Sequence, residues 1–108
     1  MNTLTNINSP GYVYIQITNS SGYIARFRIS YILRGKVVTE LSKSISLGQN
    51  DKMFIPEEAT SIILDVEQNL IIGWRPFYYE KFTKPINKCY KLSGTAFNPS
   101  CNEISCVN

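Results

Sequence analysis

Apolar and polar positions alternate with a period of two through most of this chain. In residues 12–18, Val13, Ile15 and Ile17 fall on one face and Tyr12, Tyr14, Gln16 and Thr18 on the other. That is the pattern of a half-buried strand. Residues 23–33 repeat it: Tyr23, Ala25, Phe27, Ile29, Tyr31 and Leu33 share one face, while Arg26, Arg28 and Ser30 face water. Turn chemistry follows each run, at Asn19-Ser20-Ser21-Gly22 and at Arg34-Gly35. Residues 36–47 read as a third strand with Val37, Thr39 and Leu41 on one face, and Gly48-Gln49-Asn50-Asp51 turns into a short strand over 52–55. Pro56 followed by Glu57-Glu58-Ala59-Thr60 suits a brief helical turn, since proline and acids favour a helix start. Residues 61–66 are β-branched and predict a buried strand, 77–82 a return strand, 89–94 another, and 103–107 a terminal strand. The Asn98-Pro99 pair predicts a turn over 95–100. The spacing of turn signals, at roughly 8–12 residues, suits a sandwich or barrel. The expected fold is all-β, a single antiparallel β-sandwich of about eight strands, with residues 1–10 as an N-terminal arm to one domain over 1–108.

One connection departs from the polar character of ordinary loops. Residues 67–74 predict a loop or hairpin tip, yet Leu70, Ile71 and Ile72 follow one another, with Trp74, Pro76 and Phe77 close behind. Either this is a buried strand with Trp74 in the core, or it is an exposed apolar patch made to meet a membrane or a protein. Trp suits an interface, because its ring is apolar and its N–H can stay wet. Phe97, set among turn residues in Thr95-Ala96-Phe97-Asn98-Pro99, poses the same alternative: folded back as a plug, or projecting.

Composition narrows the chemistry. The chain has 108 residues, a net charge of +3, scattered Lys and Arg, and no His. Without His there is no Ser/His/Asp or Cys/His nucleophile arrangement, and no GxGxxG or GxxxxGK[ST] loop is present. The Glu57-Glu58 pair reads as solvated turn acids, and Asp51, Asp65 and Glu67 lack calcium-loop spacing. The expectation is a non-enzymatic protein with no catalytic residues, no metal and no cofactor. A basic patch and an RNP pattern are both missing, which excludes nucleic acid as a partner.

Three cysteines, Cys89, Cys101 and Cys106, leave at least one thiol unpaired. Cys101 could close a small loop with Cys106, Cys89 could meet either across a hairpin, or all three could stay reduced. Residues 1–10 carry neither a basic nor an apolar segment, and no apolar run nears the ~18 residues of a membrane span. The chain is therefore expected to be cytoplasmic as synthesised, to leave by another route, or to have lost its signal.

Four patches, in order, resemble the C-terminal β-sandwich of the cholesterol-dependent (thiol-activated) cytolysins, over about residues 13–105. They are Ser21-Gly22-Tyr23-Ile24-Ala25-Arg26-Phe27, Phe54-Ile55-Pro56-Glu57-Glu58-Ala59, Ile71-Ile72-Gly73-Trp74 and Gly94-Thr95-Ala96-Phe97-Asn98-Pro99. The first is similar to the family's His-Ser-Gly-Ala-Tyr-Val-Ala-Gln-Phe hairpin and the second to its Ile-Pro-Leu-Glu-Ala segment. The family's membrane-facing undecapeptide, Glu-Cys-Thr-Gly-Leu-Ala-Trp-Glu-Trp-Trp-Arg, corresponds to residues 67–78. Glu67 and Trp74 match it; its cysteine is absent and Pro76 and Phe77 replace two tryptophans. The family's Thr-Leu pair becomes Ala96-Phe97, which lacks the hydroxyl that would bond a sterol 3-OH.

The resemblance implies a toxin-related, bacterial module that contacts membrane lipid through a tip of Leu70, Ile71, Ile72, Trp74, Phe77, Ala96 and Phe97. It implies no pore from this chain alone, because the family's pore-forming domains are missing. The rival expectations are a glycan- or protein-binding sandwich, with the tip loops or the Tyr12 and Tyr14 face carrying recognition, and an accessory partner of a larger toxin. Exposed sheet edges add homo-oligomerisation as a further expectation.

Overall fold

The computed structural model describes residues 11–106. The expected N-terminal arm, and the end of the expected terminal strand at Val107, lie outside them. Eight strands follow in order: β1 Tyr12–Asn19, β2 Ala25–Leu33, β3 Lys36–Leu41, β4 Asn50–Pro56, β5 Thr60–Leu70, β6 Gly73–Phe82, β7 Lys88–Thr95 and β8 Asn98–Ile104. They form two four-stranded sheets, β4-β1-β7-β8 and β3-β2-β5-β6. The all-β sandwich read from the alternation is the observed fold, and the described residues contain no helix. Val13, Ile15 and Ile17 from one sheet meet Phe27, Ile29, Ile62, Leu64 and Val66 from the other in a single core.

The antiparallel expectation holds for every pair except one. β1 and β7 run parallel, with Ile17 opposite Tyr90. A parallel pair needs a long crossover, and here the crossover is everything from β2 to β6. The pairing brings the ends of β1 and β7 to the same pole of the sandwich.

Four local expectations are corrected. The third strand stops at Leu41; residues 42–49 cross between the sheets, with Ile45 fully buried and bridged to Ala25. Residues 57–59 form a plain turn, closed by the Ala59 N–H donating to Pro56 O at 3.0 Å, and not a helical one. Asn98-Pro99 opens β8 instead of forming a turn. Residues 67–70 belong to β5 and residues 73–74 to β6, so the expected loop shrinks to Ile71-Ile72. Pro76 does not end β6 because β6 is an edge strand with a bulge, where a missing N–H is tolerated. Glu67 lies opposite Pro76 but Val66 opposite Tyr78, so Phe77 is the extra residue.

Of the three thiols, Cys89 and Cys106 form a disulfide across a Cα–Cα distance of 5.3 Å. Cys101 is free; burial, with the charge of Glu80 adding to it, pushes its pKa up to about 12.

Candidate functional site: an apolar tip

Four connections meet at the pole where β1 and β7 end. They are residues 20–24, residues 42–49, the Ile71-Ile72 turn and the Ala96-Phe97 turn. A two-residue hairpin loop normally carries Asn-Gly or a similar pair. At the opposite pole Arg34-Gly35 conforms, with φ of 51° and 80°. At this pole the two hairpin turns instead carry Ile-Ile and Ala-Phe.

Ile71, Ile72 and Phe97 are 106%, 94% and 97% exposed. Leu47 at 67% and Ile24 at 42% stand beside them. No core demands these side chains; the backbone holds them out into water.

That backbone is tied together. Asn19, fully buried, donates from Nδ2 to Tyr23 O and Ile45 O, each at 2.8 Å, and its Oδ1 accepts from the Ser21 N–H at 2.9 Å. The Gly22 N–H donates to Gly94 O at 3.0 Å, the Asn69 N–H to Ile24 O at 2.8 Å, and the Gly48 N–H to Asn19 O at 2.7 Å. Tyr23 Oη donates to Ser93 O at 2.9 Å. Each loop is thus bonded to another, and the apolar side chains sit on a braced platform.

Gly94 is part of the bracing. Its φ is +89°, and a Cβ there would lie 2.2 Å from Asn98 O. Gly94→Ala is expected to destabilise the chain by about 3 kcal/mol, combining a strained φ with a backbone clash. Urea unfolding measures it; an unchanged midpoint would show that the Ala96-Phe97 hairpin can relax freely.

The structure brings some of the sequence-predicted residues together and separates others. Leu70, Ile71 and Ala96 line one open groove of about 620 Å³ with Tyr23, Ile24 and Leu47. Ile72 and Phe97 project from the turns flanking it. Trp74 is neither core nor tip: it is half-buried beside β2, where the Arg26 guanidinium stacks 4.0 Å from its ring centroid. Arg26 Nε also donates to Glu67 Oε1 at 2.7 Å, and Arg28 Nη1 to Glu67 Oε2 at 3.3 Å. Burial pushes the Glu67 carboxyl up, but the two arginines outweigh it and hold it below the usual range. Phe77, placed by the β6 bulge, packs against the core edge-on to Tyr23, with centroids 5.6 Å apart. Sequence reasoning missed Ile24 and Leu47. Ile24 carried a signal, since it is an apolar residue in phase with the wet Arg26 and Arg28; Leu47 carried none beyond its place next to Gly48.

No protein-family model matches the sequence, and no curated protein matches it either. Solved structures do match in fold. Suilysin from Streptococcus suis superposes at a TM-score of 0.67 and 15% identity, over 92% of this chain and 24% of the toxin. The membrane-binding domain of pneumolysin superposes at 0.67 and 12% identity, over 91% of this chain and 100% of that domain. A disulfide-locked mutant of intermedilysin, solved with human CD59, superposes at 0.64 and 11% identity, over 89% of this chain and 24% of that one. The chain therefore has the fold of the cytolysin C-terminal domain, and it spans about a quarter of the full-length toxins it matches.

Proposed function

We propose that this sandwich is a membrane-binding module that inserts its apolar tip into a lipid surface and catalyses no reaction. The observation that carries the reading is the full exposure of Ile71, Ile72 and Phe97 on two adjoining turns, with Leu47 and Ile24 beside them. Exposed apolar groups clustered at one pole mark an interaction surface. A braced backbone lets them enter lipid with little ordering cost. The fold shared with the membrane-binding domain of pneumolysin supports the same assignment.

The proposed contact is binding without perforation, and this 108-residue chain, purified, is expected to leave red cells intact. Sterol recognition is not part of the proposal, since Ala96 offers no hydroxyl at the tip. The test is co-sedimentation with phosphatidylcholine vesicles, with and without cholesterol, while Trp74 fluorescence is followed. Pelleting with both kinds of vesicle, and a blue shift as Trp74 nears the interface, are expected. A chain that stays in the supernatant with both would turn attention to a protein receptor, the reading favoured by the intermedilysin mutant solved with human CD59.

A further inference from the structure

Arg75 lies opposite Gln68 in the β5·β6 register, three residues along β6 from Ile72. Its Nη2 donates to Gln68 Oε1 at 2.7 Å and reaches Ala96 O at 3.5 Å. The guanidinium is thereby held between the Ile71-Ile72 turn and the Ala96-Phe97 turn. It is exposed, and among the described residues the ion-paired carboxylates go to Arg26, Arg28, Arg34 and Lys88, none to Arg75. Gln68 is fully buried, and while its Oε1 accepts from Arg75 its Nε2 has no partner. The buried Gln68 amide thus meets Arg75 through its oxygen, which fixes the guanidinium at the edge of the tip.

We propose that Arg75 is a phosphate site for lipid headgroups, an inference that rests on the membrane reading above. Apolar groups inserted at an interface reach roughly 5–10 Å into the headgroup–acyl boundary. Three residues of extended strand span about 10 Å. With Ile71 and Ile72 in the acyl region, Arg75 stands at phosphate depth. Only Nη2 is engaged by protein, so the N–H groups of Nε and Nη1 stay open for charged hydrogen bonds to phosphate oxygens. A cation held between two apolar turns would be poorly solvated in the bilayer without such a partner.

The experiment compares wild type, Arg75→Gln and Arg75→Lys on vesicles of phosphatidylcholine and on vesicles of a neutral galactolipid that has no phosphate. Both surfaces have no net charge, so the contrast reads phosphate and not surface potential. Wild type is expected to bind phosphatidylcholine about tenfold more tightly than galactolipid, the scale of a charged hydrogen-bonded pair. Arg75→Gln is expected to bind both alike, at the wild-type galactolipid level, and Arg75→Lys to fall between. If Arg75 merely braced the two turns, Arg75→Gln would weaken binding to both surfaces equally, and that result overturns the proposal. Equal binding of wild type and Arg75→Gln to phosphatidylcholine overturns it too, with the membrane reading intact. Wild type that pellets with neither vesicle overturns both. Glycerophosphocholine at millimolar concentration is expected to leave Trp74 fluorescence unchanged; saturable binding of it without a bilayer would reject the lipid as the source.

Discussion

Replacing Ile71, Ile72 and Phe97 together by serine is expected to lower the partition onto phosphatidylcholine vesicles by about a thousandfold. Each side chain, if it moves from water into the acyl boundary, contributes at least about 1.5 kcal/mol. Three of them contribute about 4.5 kcal/mol, and about 1.4 kcal/mol is a factor of ten. The same variant is expected to fold as well as wild type, because all three side chains are almost wholly exposed and make no core contact. Surface substitutions of that kind stay within about 0.5 kcal/mol. The two readouts together isolate the tip: lost pelleting with an unchanged urea midpoint assigns the contact to these residues. Undiminished pelleting would move the contact elsewhere, for instance to Tyr12 and the Tyr14–Phe54 pair on the β4-β1-β7-β8 sheet. Any oligomer formed through sheet edges would survive the substitution, since β3, β4, β6 and β8 are the edges.

The largest stability effect is expected at Glu80. It stands on β6 where the edges of the two sheets meet, and its carboxylate is the hub of a polar cluster. Oε1 accepts from Tyr78 Oη at 2.8 Å and from Tyr90 Oη, and Oε2 accepts from Lys88 Nζ at 2.9 Å. Lys88 is nearly buried and also reaches Glu103 at 3.4 Å. Glu80→Ala removes the acceptor for two tyrosine hydroxyls and leaves the Lys88 charge with only its longer pair to the more exposed Glu103. Breaking a buried pair from one side costs about 3 kcal/mol or more. With a slope of about 1.5 kcal/mol/M, that is a fall of about 2 M in the urea midpoint. Glu80→Gln keeps an acceptor for the tyrosines and is expected to lose about half as much. A midpoint unmoved by Glu80→Ala would mean that water substitutes for the carboxylate.

The same cluster sets the pH profile. Burial pushes the Glu80 carboxyl up, but Tyr90, Lys88 and Tyr78 together hold it below the usual carboxylate range. Glu67 is likewise lowered by its two arginines against burial. Both contribute stability that is complete above the unfolded value and lost as pH falls through the folded one. Acid unfolding should therefore begin below about pH 4.5, and Glu80→Gln should flatten that limb. On the alkaline side, burial raises the Tyr78 and Tyr90 hydroxyls, and Glu80 raises them further; Lys88 is raised by Glu80 and Glu103 against burial. The folded chain then holds protons that the unfolded chain loses, so stability should fall above about pH 10.

The sandwich was legible because period-two alternation survives wherever one face is buried, as in β1 and β2. The β5–β6 hairpin was not, because its turn residues, Ile71-Ile72, are as apolar as those of a buried strand and carry no turn chemistry to mark where β5 ends. Leu70, Ile71 and Ile72 read as one apolar run although they straddle a strand end and a turn. Phe77 was assigned to the tip because it stands where the cytolysin undecapeptide has a tryptophan; nothing in the sequence reports the bulge that turns it toward Tyr23. Trp74 fell between its two readings, since pairing with Arg26 depends on a register that only the folded sheet fixes. The Glu80 cluster went unseen: its members come from β6, β7 and β8, and no spacing links them.

The parallel β1·β7 pair has a kinetic consequence. Residues 12–19 must wait for residues 88–95 before the β4-β1-β7-β8 sheet can close. Contacts this distant in sequence make folding slow, because a long loop is ordered before the pairing rewards it. Two of the bonds that brace the tip, from Ser20 N–H to Leu92 O and from Gly22 N–H to Gly94 O, cross that same junction. On a ribosome, most of the chain would have emerged before the apolar pole could take shape. The apolar pole is then among the last parts of the molecule to form, and a nascent chain carries its Ile-Ile turn without yet presenting it.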